Sequence, residues 1–216
     1  MVGFIKKMNV NFTITSIIRP DISLIALTSL NENLLGINLY EQTAYVNIDP
    51  IDKQSVKPTM DIISRFFKKV IFNTPKIANF ASAVKWCWSN AQSDIIFHFE
   101  DDWIFTQKIH INDLLYSFDK NTKQVILRAY MYEYKNMVLS PSLITKDCYS
   151  KFAIGMNDYH NPEIQLKNKT IYSIQPNMVK CYGKNEIVKD IGREWIKHQP
   201  FNKGAIKRDF VKYETN

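Results

Sequence analysis

The chain has 216 residues, 45% hydrophobic and 13% aromatic, with 28 Lys+Arg against 21 Asp+Glu and a formal net charge of +7. That balance excludes a disordered chain and suits one fairly large domain, or one with a small appendage, that buries a sizeable core. Three dispersed cysteines, Cys87, Cys148 and Cys181, argue against a disulfide framework or a zinc site, and no stretch reads as a secretion signal or as the ~18 apolar residues of a membrane span. The expectation is a cytoplasmic protein with free thiols. The basic excess fits phosphate-bearing partners, and equally a surface kept soluble by lysines.

In chain order, residues 11–18 ("NFTITSII") alternate apolar and hydroxyl side chains and stop at Arg19-Pro20, the pattern of a strand. Residues 21–36 place apolar side chains at helical spacing, with Asp21 as a cap and Gly36 as a stop, so a helix is expected. A strand over 43–50, a helix over 57–69, a strand over 70–75, a helix over 77–92 and a strand over 94–99 follow. Strand and helix thus alternate three times before a further strand, the signature of an α/β fold with a doubly wound, mostly parallel sheet. Beyond Phe105 the pattern loosens. A helix is expected over 109–120, strands over 123–130 and 134–144, and a loop or short helix at 163–168. A strand running into a turn is expected over 186–197, before a basic tail.

In open parallel sheets, ligands sit beyond the carboxyl ends of the strands. Three strands end there in polar groups: Thr15, Ser16 and Arg19 after the first, Asp49 after the second, and Glu100, Asp101 and Asp102 after the fourth. Polar strand ends occur in any soluble fold, so only their convergence is informative. Three adjacent acids after the apolar run "IIFHF" need a counter-charge. A divalent cation would supply it. Mg²⁺ or Mn²⁺ carried with a diphosphate takes only one or two protein carboxylates and neutralises a phosphate leaving group. A solvated acidic turn is the simpler alternative.

"FHFEDDW" resembles the DXD region of GT-A glycosyltransferases, particularly the family-2-like enzymes. "TITSIIRP" and "YVNIDP" resemble their first two nucleotide-binding strands, and "ANFASAVKWCWSNAQ" the helix leading to the metal site. "LSPSLI", "NPEIQL" and "VKDIGREW" resemble acceptor-side and C-terminal segments of small stand-alone viral members. The resemblance covers roughly residues 11–200 and departs from the commonest pattern in having Glu at the first acidic position. It implies a single GT-A domain, with Mn²⁺ or Mg²⁺ as cofactor and a nucleotide-sugar, UDP-glucose first, as donor. It makes Asp102 the metal ligand and sets Glu100 and Asp101 against the sugar-nucleotide. Asp49 would contact base or ribose, Thr15, Ser16 and Arg19 would line the nucleotide pocket, and Lys85 would reach phosphate or a sugar hydroxyl.

An inverting transfer also needs a carboxylate to take the acceptor's proton. Glu163 is the candidate by resemblance and Asp158 the runner-up; just after Pro162, a Glu is also an ordinary first-turn residue. Arg193 would reach the diphosphate, unless it pairs with Asp190 in a structural turn. His198 would complete the metal site, unless it is simply solvated. Tyr130, Tyr132 and Tyr134 share one face of an expected strand, where they would stack on a ring or pack. For the acceptor, the basic tail favours a hydroxymethylated pyrimidine in viral duplex DNA, and a glycan or glycoprotein is the alternative. A glycoside hydrolase with two carboxylates and a non-catalytic nucleic-acid-binding module are the readings from other classes.

Overall fold

The computed structural model describes residues 10–127, 137–167, 178–183 and 186–198, and the backbone of 201–203 and 213–215. The first half runs β1 (Val10–Ile17), α1 (Pro20–Asn33), β2 (Leu34–Leu35), a 3₁₀ turn (Leu39–Glu41), β3 (Thr43–Asp49), α2 (Lys57–Phe66), β4 (Lys69–Asn73), α3 (Phe80–Asn90) and β5 (Ile95–Glu100). The second half runs β6 (Trp103–Phe105), β7 (Ile109–His110), α4 (Ile111–Tyr116), β8 (Gln124–Ile126), β9 (Ser142–Thr145), α5 (Lys146–Gly155), α6 (Pro162–Leu166), β10 (Val179–Cys181), β11 (Val188–Asp190) and α7 (Gly192–Lys197). Two further strands, β12 (Phe201–Lys203) and β13 (Tyr213–Thr215), pair antiparallel.

Seven strands form the main sheet in the order β10-β8-β9-β5-β1-β3-β4. All neighbours are parallel except β9, which runs antiparallel to both β5 and β8. The alternation in β1 explains its central place. Phe12 and Ile14 enter the core with Leu27, Leu30 and Ile63 of α1 and α2, and Phe12 stacks on Phe97 with ring centres 5.2 Å apart. The alternate positions carry polar groups. Asn11 Oδ1 accepts from the backbone N–H groups of Gln92 and Ser93, and Thr13 Oγ1 lies 3.0 Å from His98 Nδ1. A second core gathers Tyr45, Trp88, Ile96, Tyr149 and Phe152 under α3 and α5.

The expected alternation of strands and helices through residue 100 is present, with shifts at several ends. The first helix stops at Asn33 rather than 36, because Leu34 and Leu35 pair with Ile109 and His110. Gly36 sits at φ +79°, and a Cβ there would fall 2.2 Å from the His110 ring, so glycine serves a close approach as well as a turn. The same pairing trims the expected 109–120 helix to Ile111–Tyr116. The strand expected over 134–144 is replaced, in its described part, by irregular backbone through Pro141 and the short β9. Helix α5 follows at once and was not expected. Its buried Cys148, Tyr149, Phe152 and Ala153 do keep helical spacing. The turn expected after β11 is the short helix α7. Tyr130, Tyr132 and Tyr134 lie outside the described residues.

Candidate active site

Parallel register sets Thr15 level with both Asn47 and Glu100, so the carboxyl ends of β1, β3 and β5 open together. A solvent-open cleft of ≈ 570 Å³ lies there, walled at the strand ends by Thr15, Ser16, Arg19, Asp49, Glu100 and Asp102. Phe80 and Ala83 of α3 and Ile196 of α7 complete it.

The three acids take three different places. Asp101 is fully buried. Its Oδ1 accepts from Arg19 Nε at 2.9 Å and from Arg19 Nη2, and its Oδ2 accepts from Ser16 Oγ at 2.5 Å and Ser23 Oγ at 2.7 Å. With both oxygens engaged, Asp101 is off the cleft wall. The expectation that it lies against the sugar-nucleotide is corrected by this geometry: it is the buried anion that holds Arg19. Arg19 in turn places Nη1 3.0 Å from Asp102 Oδ2. Much of the expected counter-charge is therefore a guanidinium built into the chain.

Asp102 keeps its other oxygen, Oδ1, buried and without a hydrogen-bond partner. Burial pushes its carboxyl above the ordinary range, with Arg19 pulling against it. Its carbonyl accepts from Ile191 N, and a Cβ on Gly192 would fall 2.0 Å from Asp102 Oδ2, so only glycine fits. Glu100 keeps some solvent access, yet its surroundings are dense enough that burial pushes it well above the usual carboxylate range, reinforced by Asp102 and Glu163. Asp49 is buried, accepts from Asn47 Nδ2 at 2.8 Å and Asn79 N at 3.1 Å, and is pushed up to about 6 by desolvation.

On the α3 side, Lys85 Nζ lies 3.6 Å from Asp158 Oδ1, and Glu163 is exposed at the start of α6 but close enough for its charge to act on Glu100. Arg193 and His198 are not brought to the wall. Arg193 is exposed and pairs with Asp190 at 3.1 Å, the structural turn weighed as its alternative, and His198 is exposed beyond α7. Among the described residues, no group of three or more His, Cys, Asp or Glu is gathered to hold a metal. The orphaned Asp102 Oδ1 with Glu100 beside it does fit a cation that draws its other ligands from a diphosphate.

Trp195 anchors its segment: its Nε1 donates to Asp21 Oδ2 and its ring lies under Arg19. Sequence reasoning missed Ser23, which completes the Asp101 cradle, and Asn79. Asn79 had a signal, a cap residue before a helical run. Its Oδ1 accepts from Ser82 N, its backbone N–H donates to Asp49, and its Nδ2 donates to Asp158 O at 2.8 Å, joining the cleft to the Asp158 loop.

No family model and no curated protein matches the sequence. Solved structures match at the level of fold. The mannosyltransferase PcManGT from Pyrobaculum calidifontis, in complex with GDP-Man and Mn²⁺, is 10% identical over 80% of this chain and 56% of its own, with TM-score 0.52. S. aureus TarS is 9% identical over 84% of this chain and 36% of its own, with TM-score 0.58. The chain has the GT-A-type fold. It spans between about a third and three fifths of the length of those proteins. Cytidylyltransferases share the architecture. One from Leptospira borgpetersenii is 10% identical over 94% of this chain and 90% of its own, with TM-score 0.52. Among the described residues, no helix is long and apolar enough to cross a membrane.

Proposed function

We propose that the cleft binds a nucleotide-sugar and that the chain transfers the sugar to an acceptor hydroxyl. The observation that carries this reading is a pair of buried oxygens without hydrogen-bond partners, Thr15 Oγ1 and Asp102 Oδ1, in residues of the cleft wall. An unmet buried polar group costs about 1–3 kcal/mol, and a ligand is a ready reason for a fold to keep two in one cleft.

Asp49 and Thr15 take the nucleoside, with Ser16 and Arg19 shaping the pocket, and Glu100 and Lys85 face the transferred sugar. Asp102 and Glu100 would hold Mn²⁺ or Mg²⁺, which supplies neutralisation of the departing diphosphate. Glu163 takes the acceptor's hydroxyl proton as that oxygen attacks the anomeric carbon from the face opposite the diphosphate. The new C–O bond forms, the bond to phosphate breaks with its electron pair leaving on the nucleoside diphosphate, and configuration inverts. Asp158 is the alternative base. Arg193 and His198, off the wall, have no step here. The acceptor hydroxyl belongs either to a glycan or glycoprotein or to a hydroxymethylated pyrimidine in duplex DNA.

Nucleotidyl transfer is the second reading, because the cytidylyltransferase neighbours match this chain over nearly their whole length. Against it, the cation on the described cleft wall, Arg19, is already engaged by Asp101 and Asp102, which leaves little to cradle a triphosphate. A thermal-shift panel separates the two. Stabilisation by UDP-glucose or another nucleotide-sugar that requires Mn²⁺ supports the transferase reading. Stabilisation by CTP alone favours cytidylyl transfer, and no response to any nucleotide sinks both.

A further inference from the structure

The loop between α5 and α6 is held from inside. Gln165, 5% exposed, accepts from Asn157 N at 2.8 Å through Oε1 and donates through Nε2 to the carbonyls of Asn157 and His160 at 2.8 and 2.7 Å. Tyr159 N donates to Asn157 Oδ1, and Glu163 N to Asn161 Oδ1. From outside, Asn79 Nδ2 donates to Asp158 O, and the same Asn79 donates from its backbone to Asp49 on the cleft wall. The loop is therefore a fixed shelf on the rim of the cleft.

This shelf carries an aromatic ring in water. Tyr159 is 74% exposed, and Ile77, two residues before Asn79, is 73% exposed. The hydrogen-bonded loop presents this ring to solvent. The acids on this side are Asp158, whose Oδ1 has no hydrogen-bond partner, and Glu163, whose charge reaches Glu100; Lys76, beside Ile77, is exposed. Lys85 is drawn to Asp158. Carboxylates repel a phosphate backbone and accept hydrogen bonds from hydroxyls, while an exposed aromatic ring offers its face to the C–H side of a pyranose.

We propose that the shelf at Tyr159 is the acceptor subsite and that its occupant is an uncharged saccharide stacked on Tyr159. This rests on the transferase reading of the cleft and names the acceptor class for it. The experiment is saturation-transfer NMR on the full chain with UDP and Mn²⁺, using methyl β-D-glucopyranoside, N-acetylglucosamine and cellobiose as probes. Binding of a short duplex DNA is followed by anisotropy between about 50 and 200 mM salt. Transfer to pyranose C–H protons is expected, with binding weakened roughly 2- to 10-fold in Tyr159→Ala and retained in Tyr159→Phe. Tyr159 is exposed, so both variants should fold. No transfer to any of the three saccharides, or transfer equal in Tyr159→Ala, overturns the proposal, as does duplex binding at the higher salt that Tyr159→Ala abolishes. The UDP-dependent thermal shift is read on the same samples. If it is present without saccharide binding, only the acceptor subsite fails; if it is absent as well, the transferase reading fails too.

Discussion

At the scale of single residues, the acidic triplet separates into a buried anion, Asp101, and two acids on the cleft wall, Glu100 and Asp102. Asp101→Ala should lower stability in urea by about 3 kcal/mol, the lower end of the cost of breaking a buried pair, because Asp102 still faces Arg19. Asp102→Asn should leave the urea midpoint nearly unchanged while removing the Mn²⁺-dependent part of the nucleotide-sugar thermal shift. The opposite pattern in the two variants would reverse the roles. Buried titratable groups also set a pH dependence. Asp49 has a folded pKa raised to about 6, so its contribution to stability is greatest below its unfolded value and is lost as pH rises through 6. His98 is fully buried, with Nδ1 near Thr13 and the indole N–H of Trp88, and desolvation lowers it to about 3. Its contribution is present above the unfolded value near 6.5 and is lost as pH falls toward 3. Stability of wild type relative to Asp49→Asn should therefore fall as pH rises from 4 to above 6, by on the order of 3 kcal/mol. A flat difference across that range would show that Asp49 is not desolvated.

At the scale of elements, the strap formed by β11 and α7 closes one side of the cleft. It pairs with β6, passes its backbone against Asp102 at Gly192, seats Trp195 against Asp21 and Arg19, and ends in Ile196 on the wall. Gly192→Ala forces a methyl into the Asp102 carboxylate, and overpacking of this kind costs about 1–3 kcal/mol. The expected result is faster amide exchange over 188–197 with the main sheet unchanged; exchange that stays wild type would mean that Asp102 yields without cost. This strap was only half legible. The sequence "VKDIGREW" suggested a strand, a turn and the Asp190–Arg193 pair, which are present. That the turn continues as a helix covering the acids depends on Trp195 meeting residues 174 positions earlier, a contact with no local signal. The same holds for α5, whose position is set by Tyr149 Oη donating to Ser93 O across the sheet end.

At the scale of the whole molecule, a ligand that binds only the folded chain stabilises it by mass action. At about 100-fold excess over Kd this gives about 2.7 kcal/mol, or roughly 5–10 °C in Tm for a domain of this size. A nucleotide-sugar shift of that order, present with Mn²⁺ and absent with EDTA, is the expected signature of the proposed site; equal shifts in both would remove the cation from it. The net charge of +7 bears on partners, not on fold. In the basic tail behind the DNA reading, Lys207, Arg208 and Lys212 lie outside the described residues, while the rim of the cleft carries Asp158 and Glu163.

The sequence alone determined what is periodic or local: the three strand–helix units, the parallel sheet they imply, and the carboxyl edge where Thr15, Ser16, Arg19, Asp49 and the acids gather. These follow from alternation and helical spacing, which each segment carries within itself. Tertiary structure decided which of the acids line the cleft. Glu100, Asp101 and Asp102 are adjacent carboxylates whose chemistry differs only through what surrounds them: Arg19, Ser16 and Ser23 close around Asp101, and Gly192 presses against Asp102. Those neighbours come from β1, α1 and the distant strap, so an electrostatic environment assembled across the fold assigned the roles that three consecutive letters could not.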